Sequence, residues 1–382
     1  MAIACGVCVA NICYNQPLLE DFASYFHATP SQVGWVAMAS QAGYGIGLLF
    51  FLPLGDIVER RKLVLLLTYA CAATLVGTAL APSLPLLVLG NLLIGATAMS
   101  AQVLIPLAVE MSPANARGRT VGVMMTGLLG GILLARTLAG FVGDHLGWRA
   151  MFGLGAAMMV LLAWALRTRL PHRPPELALS YGKLMQSLWD VWRTQPQLWR
   201  PALVGALSFA TFTAFWTSLA FLMKDVFHQG ATETGLFGVV GLVGALAAPY
   251  AGKLADRRGA IFTVSIALVL VLAAFGLMGA WVTIPSLVIG VVLMDVGVQT
   301  VQVAEQGKVL SLLPAARSRL NTLYMGVRFV GGALGSLIGA FAWTHGEWSA
   351  VCGAAGGLIV LAGAVHLVGS RFEAAMVAAS PA

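Results

Sequence analysis

The chain has 382 residues, of which 59% are apolar and only 10% are charged, and its formal net charge is +7. Soluble domains carry roughly 25% charged residues, so this composition excludes an ordinary soluble fold. The basic balance does not indicate a nucleic-acid partner, because no basic stripe is interleaved with aromatic residues.

Apolar stretches long enough to cross a bilayer follow one another along nearly the whole chain. A spanning helix needs ~20 predominantly apolar residues, because hydrocarbon offers backbone amides no partner outside the helix itself. The sequence predicts twelve such helices, and we therefore expect an all-α integral membrane protein. The predicted spans are 1–20, 33–54, 63–82, 85–108, 120–142, 148–166, 202–223, 234–252, 261–281, 285–306, 320–342 and 348–370.

The first predicted span begins at Met1 without a basic flank. A cleaved signal peptide would need a basic segment and a small-residue cleavage site, and its removal would delete one helix. We therefore expect a shortened lead-in to the first span rather than a signal peptide.

Lysine and arginine are distributed unevenly between the two sides of the predicted membrane. Of the 22 basic residues, 18 lie in segments that follow even-numbered spans. Because positively charged loops tend to remain in the cytoplasm, both termini are predicted to be cytoplasmic. We expect a multi-pass protein of the bacterial inner (plasma) membrane, whose basic pI of 9.4 reflects this topology.

The only sizeable polar segment connects the sixth and seventh spans. Its prolines end the sixth helix, and the stretch LSYGKLMQSLWDVW has apolar residues at helical spacing, which predicts an amphipathic helix on the inner leaflet. The predicted parts are an N-terminal six-helix bundle (1–166), a cytoplasmic linker (167–200), a C-terminal six-helix bundle (201–370) and a cytoplasmic tail (371–382).

The two halves repeat each other at an offset of 200 positions. Pairs at this offset include Leu54 with Leu254, Asp56 with Asp256, Arg117 with Arg317, Arg119 with Arg319, His145 with His345, and Trp148 with Trp348. One register that holds over a hundred residues indicates a duplicated unit. Membrane proteins built from two parallel repeats are most often transporters of small solutes.

The segment GKLADRRG at 252–259 resembles the cytoplasmic signature of the major facilitator superfamily, whose pattern is roughly G-x-L-a-D-r-x-G-r-k. The matching residues are Gly252, Leu254, Asp256, Arg257 and Gly259. The first copy keeps Leu54, Asp56, Arg60 and Arg61 but has Leu52 and Glu59 where glycines are expected. The stretches NICYNQPLL and GILLART are similar to a bacterial branch grouped with drug:proton antiporters.

This resemblance implies two pseudo-symmetric six-helix bundles around a central cavity lined mainly by spans 1, 4, 7 and 10. It also implies that the signature residues latch one conformation on the cytoplasmic face, where a carboxylate gains contacts with helix ends and arginines. The implied latch residues are Asp56, Arg60, Arg61, Asp256 and Arg257. A plain solvated turn is the alternative interpretation.

Three charged residues lie well inside predicted spans: Asp295, Arg136 and Arg328. A charge at the bilayer centre costs at least ~2.5–3.5 kcal/mol, so each needs a partner or a role. Other charged residues lie near span ends and are expected to reach the interface, namely Glu110, Glu305 and Lys308.

Asp295 lies near the middle of span 10, which the resemblance implies is a cavity-lining helix. Burial favours the neutral form of a carboxyl and a nearby arginine favours the charged form, so conformation could control proton binding. We hypothesise that Asp295 titrates and that Arg136 or Arg328 is its partner. The alternative is a permanent ion pair that only fixes helix packing. Two arginines for one aspartate leave one positive charge unmatched, so an anionic substrate is a further possibility.

Polar and aromatic residues on the predicted cavity helices are candidates for substrate contact. They are Asn11, Tyr14, Gln16, Gln41, Asn91, Gln102, Phe212, Phe215, Trp216 and Gln299. Asn91 stands where antiporters of this type usually carry an arginine, and span 1 has no embedded acid, which weakens the antiporter assignment. Aromatic residues at helical spacing also serve as ordinary packing, so both interpretations stay open for them.

The function expected from these observations is proton-coupled efflux of small amphipathic molecules by alternating access. The alternative is a proton-linked importer or facilitator of a small anionic metabolite, and a remote one is a membrane enzyme or sensor that kept the fold.

No phosphate-binding loop, nucleotide motif or metal-ligand cluster is present in the sequence, so we expect no cofactor, no metal and no enzymatic activity. The five cysteines are expected to be small packing residues within spans. The expected partners are a small-molecule substrate, protons and the lipid bilayer, with no nucleic acid, and the protein is expected to be monomeric.

Overall fold

The computed structural model describes residues 1–113, 116–172, 180–246, 248–313 and 316–379, without the side chains of residues 56, 117, 242–249 and 371–379. Within these ranges all regular structure is helical, and no strand is present. This confirms the predicted all-α class. The helices are α1 (Ala2–Ala10), α2 (Leu19–Phe26), α3 (Pro30–Phe50), α4 (Leu54–Ile57), α5 (Arg60–Ala79), α6 (Leu84–Thr97), α7 (Ser100–Glu110), α8 (Arg117–Leu146), α9 (Trp148–Arg169), α10 (Tyr181–Thr194), α11 (Trp199–Asp225), α12 (Ala231–Leu246), α13 (Ala248–Arg258), α14 (Ala260–Ala280), α15 (Ile284–Leu312) and α16 (Arg317–Ala379).

The helices accommodate twelve membrane crossings. In the described part of the chain, nine helical segments are long and apolar enough to span a membrane. One of them, Arg317–Ser370, holds two spans, because non-helical backbone at Gly346 and Glu347 divides α16. Predicted span 1 (1–20) covers α1 and the turns after it and ends at the start of α2, and predicted span 8 corresponds to two shorter helices, α12 and α13. The nine segments therefore supply ten crossings, and the two broken spans supply the remaining two.

Two of the spanning helices begin with the same local chemistry. The Thr29 side chain accepts a hydrogen bond from the Gln32 amide, and Thr283 does the same for the Ser286 amide. Both helices also have proline in their first turn, where a backbone N–H would have no partner within the helix, so its absence costs no hydrogen bond. Gly259 has φ +83°, a left-handed conformation that favours glycine, which explains its place between α13 and α14.

The first predicted span is a broken helix rather than a continuous one. Residues 11–18 form turns held by hydrogen bonds between residues three apart, such as the Gln16 amide to the Cys13 carbonyl. Pro17 has no N–H to continue a helical ladder, and the side chain of Asn11 bonds the carbonyls of Val7 and Cys8. The break directs Asn15 and Gln16 toward neighbouring helices.

The 200-residue repeat is visible in side-chain geometry. His145 lies 2.9 Å from the Phe141 carbonyl and His345 lies 2.9 Å from the Phe341 carbonyl, each measured from Nδ1. Gly131 packs against the backbone of Gly6, and Gly331 packs in the same way against Ala206. Such contacts need glycine, because a Cβ would meet the facing backbone.

The chain divides into two compact units. Unit 1 consists of Met1–Leu184 and Trp216–Leu242, and unit 2 consists of Met185–Phe215 and Val243–Ala382. Helix α11 therefore belongs to unit 2 up to Phe215 and to unit 1 from Trp216 onward. The predicted bundle boundaries, 1–166 and 201–370, stay a prediction.

Candidate functional site

Arg136 is held inside unit 1 by two other predicted site residues. It is 3% exposed, and its Nε donates a hydrogen bond to Oε1 of Gln16 at 2.7 Å. Its guanidinium carbon lies 3.9 Å from the centroid of the Trp216 ring. An aromatic face and an amide oxygen both stabilise a cation without neutralising it. Arg136, Gln16 and Trp216 therefore form one site, which we call the Arg136 cluster.

Helix α8 is hydrogen-bonded to α12 beyond the Arg136 cluster. The Thr137 hydroxyl donates to the Gly235 carbonyl at 3.1 Å. The Asp144 carboxylate accepts hydrogen bonds from the amides of Ala231 at 3.1 Å and Thr232 at 2.7 Å. Those amides are at the N-terminus of α12, where a helix dipole favours negative charge. Asp144 therefore acts as a cap supplied by a distant part of the sequence.

Acidic residues gather next to this cap. Burial raises the pKa of Asp21 to about 6, and the charges of Glu20 and Asp144 raise it further, while Lys224 lowers it. Glu20 itself lies 3.9 Å from the Lys224 ammonium group. The ionised form of Asp21 is therefore unfavourable in the folded protein at neutral pH.

Asp21 predicts a measurable pH dependence of stability. Its folded pKa of about 6 exceeds the reference value of 3.8, so its charge reduces stability above pH 6 and this cost disappears as the pH falls toward 3.8. Asp21→Asn should therefore unfold a few degrees higher than the wild type at pH 7.5 in thermal scans of detergent-solubilised protein. The difference should shrink through pH 6 and vanish near pH 4. The exposed acid Asp190, changed to Asn, is the control and should show neither effect; a difference constant across pH would contradict the assignment.

An amide network occupies the position of the antiporter arginine. Asn91 is 1% exposed, and its Oδ1 accepts a hydrogen bond from Nδ2 of Asn15 at 2.9 Å. The same Asn15 nitrogen donates to the Ser40 hydroxyl at 2.6 Å. Asn15 thus ties the broken first span to α3 and α6, and a neutral hydrogen-bond network stands where antiporters of this type usually carry an arginine.

The remaining predicted cavity residues of unit 1 are buried or half-buried. Gln102 donates to the Tyr44 hydroxyl at 3.1 Å. Asn11 bonds its own helix and lies 3.3 Å from the sulfur of Met159. Tyr14 and Gln41 are buried. These contacts fit packing between helices as well as they fit a cavity wall.

A polar stripe runs along one face of α15 in unit 2. Asp295, Gln299, Gln302 and Gln306 are spaced four, three and four residues apart, which places them within one narrow face of a helix. Asp295 is 6% exposed and the three glutamines are partly exposed. Gln306 donates to the Asn321 side chain of α16 at 2.7 Å. We call this face the α15 stripe; Gln306 and Asn321 were not among the predicted residues.

Arg328 lies against aromatic rings in unit 2. It is 4% exposed, and its guanidinium carbon lies 4.1 Å from the centroid of Phe209. Phe212 stacks on Phe209 with ring centroids 5.6 Å apart. Phe215, by contrast, is buried against Phe275 and Trp348, which is ordinary core packing. The span 7 aromatics therefore divide between the surroundings of Arg328 (Phe209 and Phe212), the Arg136 cluster (Trp216) and the core (Phe215).

The predicted latch residues differ between the two copies. Arg60 forms an ion pair with Glu110 and donates to the Gly55 carbonyl at 3.2 Å, and Arg61 donates to the Arg167 carbonyl. Asp256 and Arg257 are exposed. The side chain of Asp56 lies outside the described residues. Within the described part, the first copy thus has arginines engaged with neighbouring helices.

One buried charged cluster was missed, because Glu305 was expected to reach the interface and is instead 0% exposed. Its carboxylate lies 3.8 Å from Arg200 and 3.6 Å from His366. Nη1 of Arg200 is 3.1 Å from Nδ1 of His366, whose Nε2 is 3.0 Å from the Ile261 carbonyl. Glu305 is closed off because α11, α14 and α16 surround this end of α15. Among the described residues, no three His, Cys, Asp or Glu side chains are arranged to hold a metal ion.

Sequence comparison assigns the chain to a family. The sequence model of the Major Facilitator Superfamily matches residues 2–314 and 203–377. The putative uncharacterized transporter YgaY of Escherichia coli (strain K12) is 40% identical over 356 residues, covering 92% of this chain and 90% of the relative. The probable transporter SCO4007 of Streptomyces coelicolor is 36% identical over 366 residues, covering 94% of this chain and 84% of the relative.

Structural comparison agrees with the sequence. The crystal structure of a bacterial homolog of the human lysosomal transporter Spinster, in its inward-facing and unoccupied conformation, matches with a TM-score of 0.79 at 14% identity. The match covers 97% of this chain and 95% of that one, so the likeness concerns the fold over its full length. The chain belongs to the Major Facilitator Superfamily and is a multi-pass membrane transporter of a small-molecule substrate.

Proposed function

We propose that the protein exports small amphipathic molecules in exchange for protons by alternating access. The observation that supports this proposal most is Asp295, which is almost fully buried in α15 at membrane depth. A charge at such a depth costs several kcal/mol, so a carboxyl that takes up and releases a proton offers a role for it.

The α15 stripe supports proton exchange at Asp295. It gives the carboxyl a continuous row of polar side chains toward the end of α15 that we assign to the cytoplasm. Gln299, Gln302 and Gln306 can hydrogen-bond water or substrate along that row. A carboxyl that meets an arginine in one conformation and not in the other would bind protons differently in the two states, which is the requirement for coupling. Arg136 and Arg328 are the two candidates for that arginine.

The aromatic residues of α11 support an amphipathic substrate. Phe212 and Trp216 carry apolar area, and Trp216 also lies in the Arg136 cluster. Aromatic surface with a few fixed polar groups binds varied solutes, because the apolar area supplies affinity and the polar groups orient the ligand.

The second candidate function is proton-linked import or facilitated movement of a small anionic metabolite. The specific observation in its favour is Arg328, a buried cation that faces an aromatic ring. A phenyl face attracts a cation without neutralising it, whereas an anionic substrate would neutralise it.

We also propose that the signature residues act as a cytoplasmic latch and that both termini are cytoplasmic. Arg60 with its ion pair to Glu110 supports a structured rather than a solvated turn in the first copy. The same residue bonds the Gly55 carbonyl, so it joins the turn to the helix pair around it.

A vesicle assay tests the proposal and separates its two forms. Purified protein is reconstituted in proteoliposomes with a pH gradient imposed in either direction and a panel of cationic, neutral and anionic amphipathic solutes. Exchange requires solute to move against the proton flux, whereas the second candidate requires an anion to move with it. Solute movement at the same rate and to the same extent with and without a gradient would contradict the proposed proton coupling.

A further inference from the structure

The guanidinium of Arg328 has hydrogen-bonding capacity that the described residues of unit 2 do not use. Its Nη1 is buried and has no hydrogen-bond partner within that part of the chain. Phe209 stacks beneath the guanidinium but accepts no conventional hydrogen bond. Buried polar groups in native proteins are nearly always paired, so an unpaired guanidinium nitrogen indicates a partner that enters from outside the chain.

Tyr324 presents a second unused group next to Arg328. The two residues are four positions apart on α16, so their side chains lie on one face of the helix. The Tyr324 hydroxyl is buried without a hydrogen-bond partner in the described chain, and the charge of Arg328 acts on it. An N–H donor beside an O–H donor is complementary to a carboxylate, which only accepts hydrogen bonds when ionised.

An aromatic surface adjoins these donors. Phe209 carries Arg328 on its ring, stacks with Phe212 at an interplanar angle of 15°, and meets Phe329 edge to face. Phe209 and Phe212 are both partly exposed rather than sealed in the core. A ring can therefore reach this surface while its acidic group faces Arg328.

The helix register places the α15 stripe level with Arg328. Helices α15 and α16 follow one another in the chain and run in opposite directions, and Gln306 near the end of α15 bonds Asn321 near the start of α16. Seven residues further along each helix, about 10 Å away, Gln299 is level with Arg328. Asp295 lies one further turn along. The unused donors are thus level with the polar residues of the α15 stripe.

We propose that Arg328 and Tyr324 bind the carboxylate of an aromatic organic acid, whose ring lies on Phe209 and Phe212. The proposal rests on the proposed transport function and names the substrate class for it. Arginine suits this task because its planar fork stays charged and can bind a carboxylate through two parallel hydrogen bonds.

Ligand pairs that differ only in charge test the proposal. Binding of benzoate and naphthoate is measured on the purified full chain by calorimetry, beside benzamide and naphthamide. The carboxylates should bind wild type at least about tenfold more tightly than the amides, because a charge-assisted pair replaces neutral contacts. Arg328→Gln should bind acid and amide equally, and Tyr324→Phe should lose part of the preference. Arg317→Gln, which removes an exposed arginine from the same helix, should retain it.

Equal binding of acids and amides by wild type would overturn the proposal, as would an undiminished preference in Arg328→Gln. If Arg328→Gln does not fold, Tyr324→Phe and Phe209→Leu decide, and unchanged affinity in both would overturn it. The vesicle assay keeps the two proposals apart. Gradient-driven movement of neutral and cationic solutes, without carboxylate binding, would sink this inference and leave proton-coupled transport standing. Carboxylate binding that depends on Arg328, without gradient-driven movement, would do the reverse.

Discussion

Asp295→Asn should abolish solute accumulation driven by a pH gradient while leaving solute exchange across the membrane measurable. Asparagine has nearly the same shape but cannot take up a proton, so the conformational cycle would proceed without one. With one proton per solute, a gradient of about two pH units corresponds to about 2.7 kcal/mol, or roughly 100-fold accumulation, in the wild type. In the variant, the internal and external solute concentrations should become equal.

The measurement compares accumulation with exchange in the same vesicles. Exchange of labelled for unlabelled solute at equal pH reports whether Asp295→Asn still folds and alternates. Asp190→Asn serves as the control, because it removes an exposed acid from α10 and should accumulate solute like the wild type. Unchanged accumulation in Asp295→Asn would falsify the proton site and favour a permanent buried ion pair. Loss of both accumulation and exchange would contradict the expected result as well.

The fold could be predicted because its main determinants are local and repeated. A bilayer requires each crossing to satisfy its own backbone, so hydropathy marks the spans directly. The offset of 200 residues reappears in packing, where Gly131 meets Gly6 and Gly331 meets Ala206. The break in the first span was missed, although Pro17 signals it, because length and hydropathy alone do not report where a ladder is interrupted.

Hydropathy predicts how deep in the membrane the candidate site residues lie, but not the direction in which their side chains point. Hydropathy places Arg136 inside a span, yet it cannot tell that the broken first span brings Gln16 to its Nε or that Trp216 stacks on it. The α15 stripe could have been found from the spacing of Asp295, Gln299, Gln302 and Gln306, since helical periodicity puts them on one face. No local signal reveals that Glu305 is enclosed, because the enclosing residues come from three other helices.

The enclosed Glu305 gives the second prediction, which concerns stability. Arg200→Met should destabilise unit 2 by about 3–5 kcal/mol, because removing the cation leaves a carboxylate buried in a low-dielectric site.

A double-mutant cycle isolates the pair from general damage to packing. Unfolding of Arg200→Met, Glu305→Gln and the combined variant is measured in detergent, with Arg169→Gln as an exposed-arginine control. The combined variant should recover most of the stability that Arg200→Met loses, because no buried charge is then left unpaired, and the coupling should exceed about 1 kcal/mol. Additive losses would mean that Arg200 acts through its aliphatic contacts with Gly369 instead. Restored stability would instead identify charge compensation as what holds α11, α15 and α16 together at this end of unit 2.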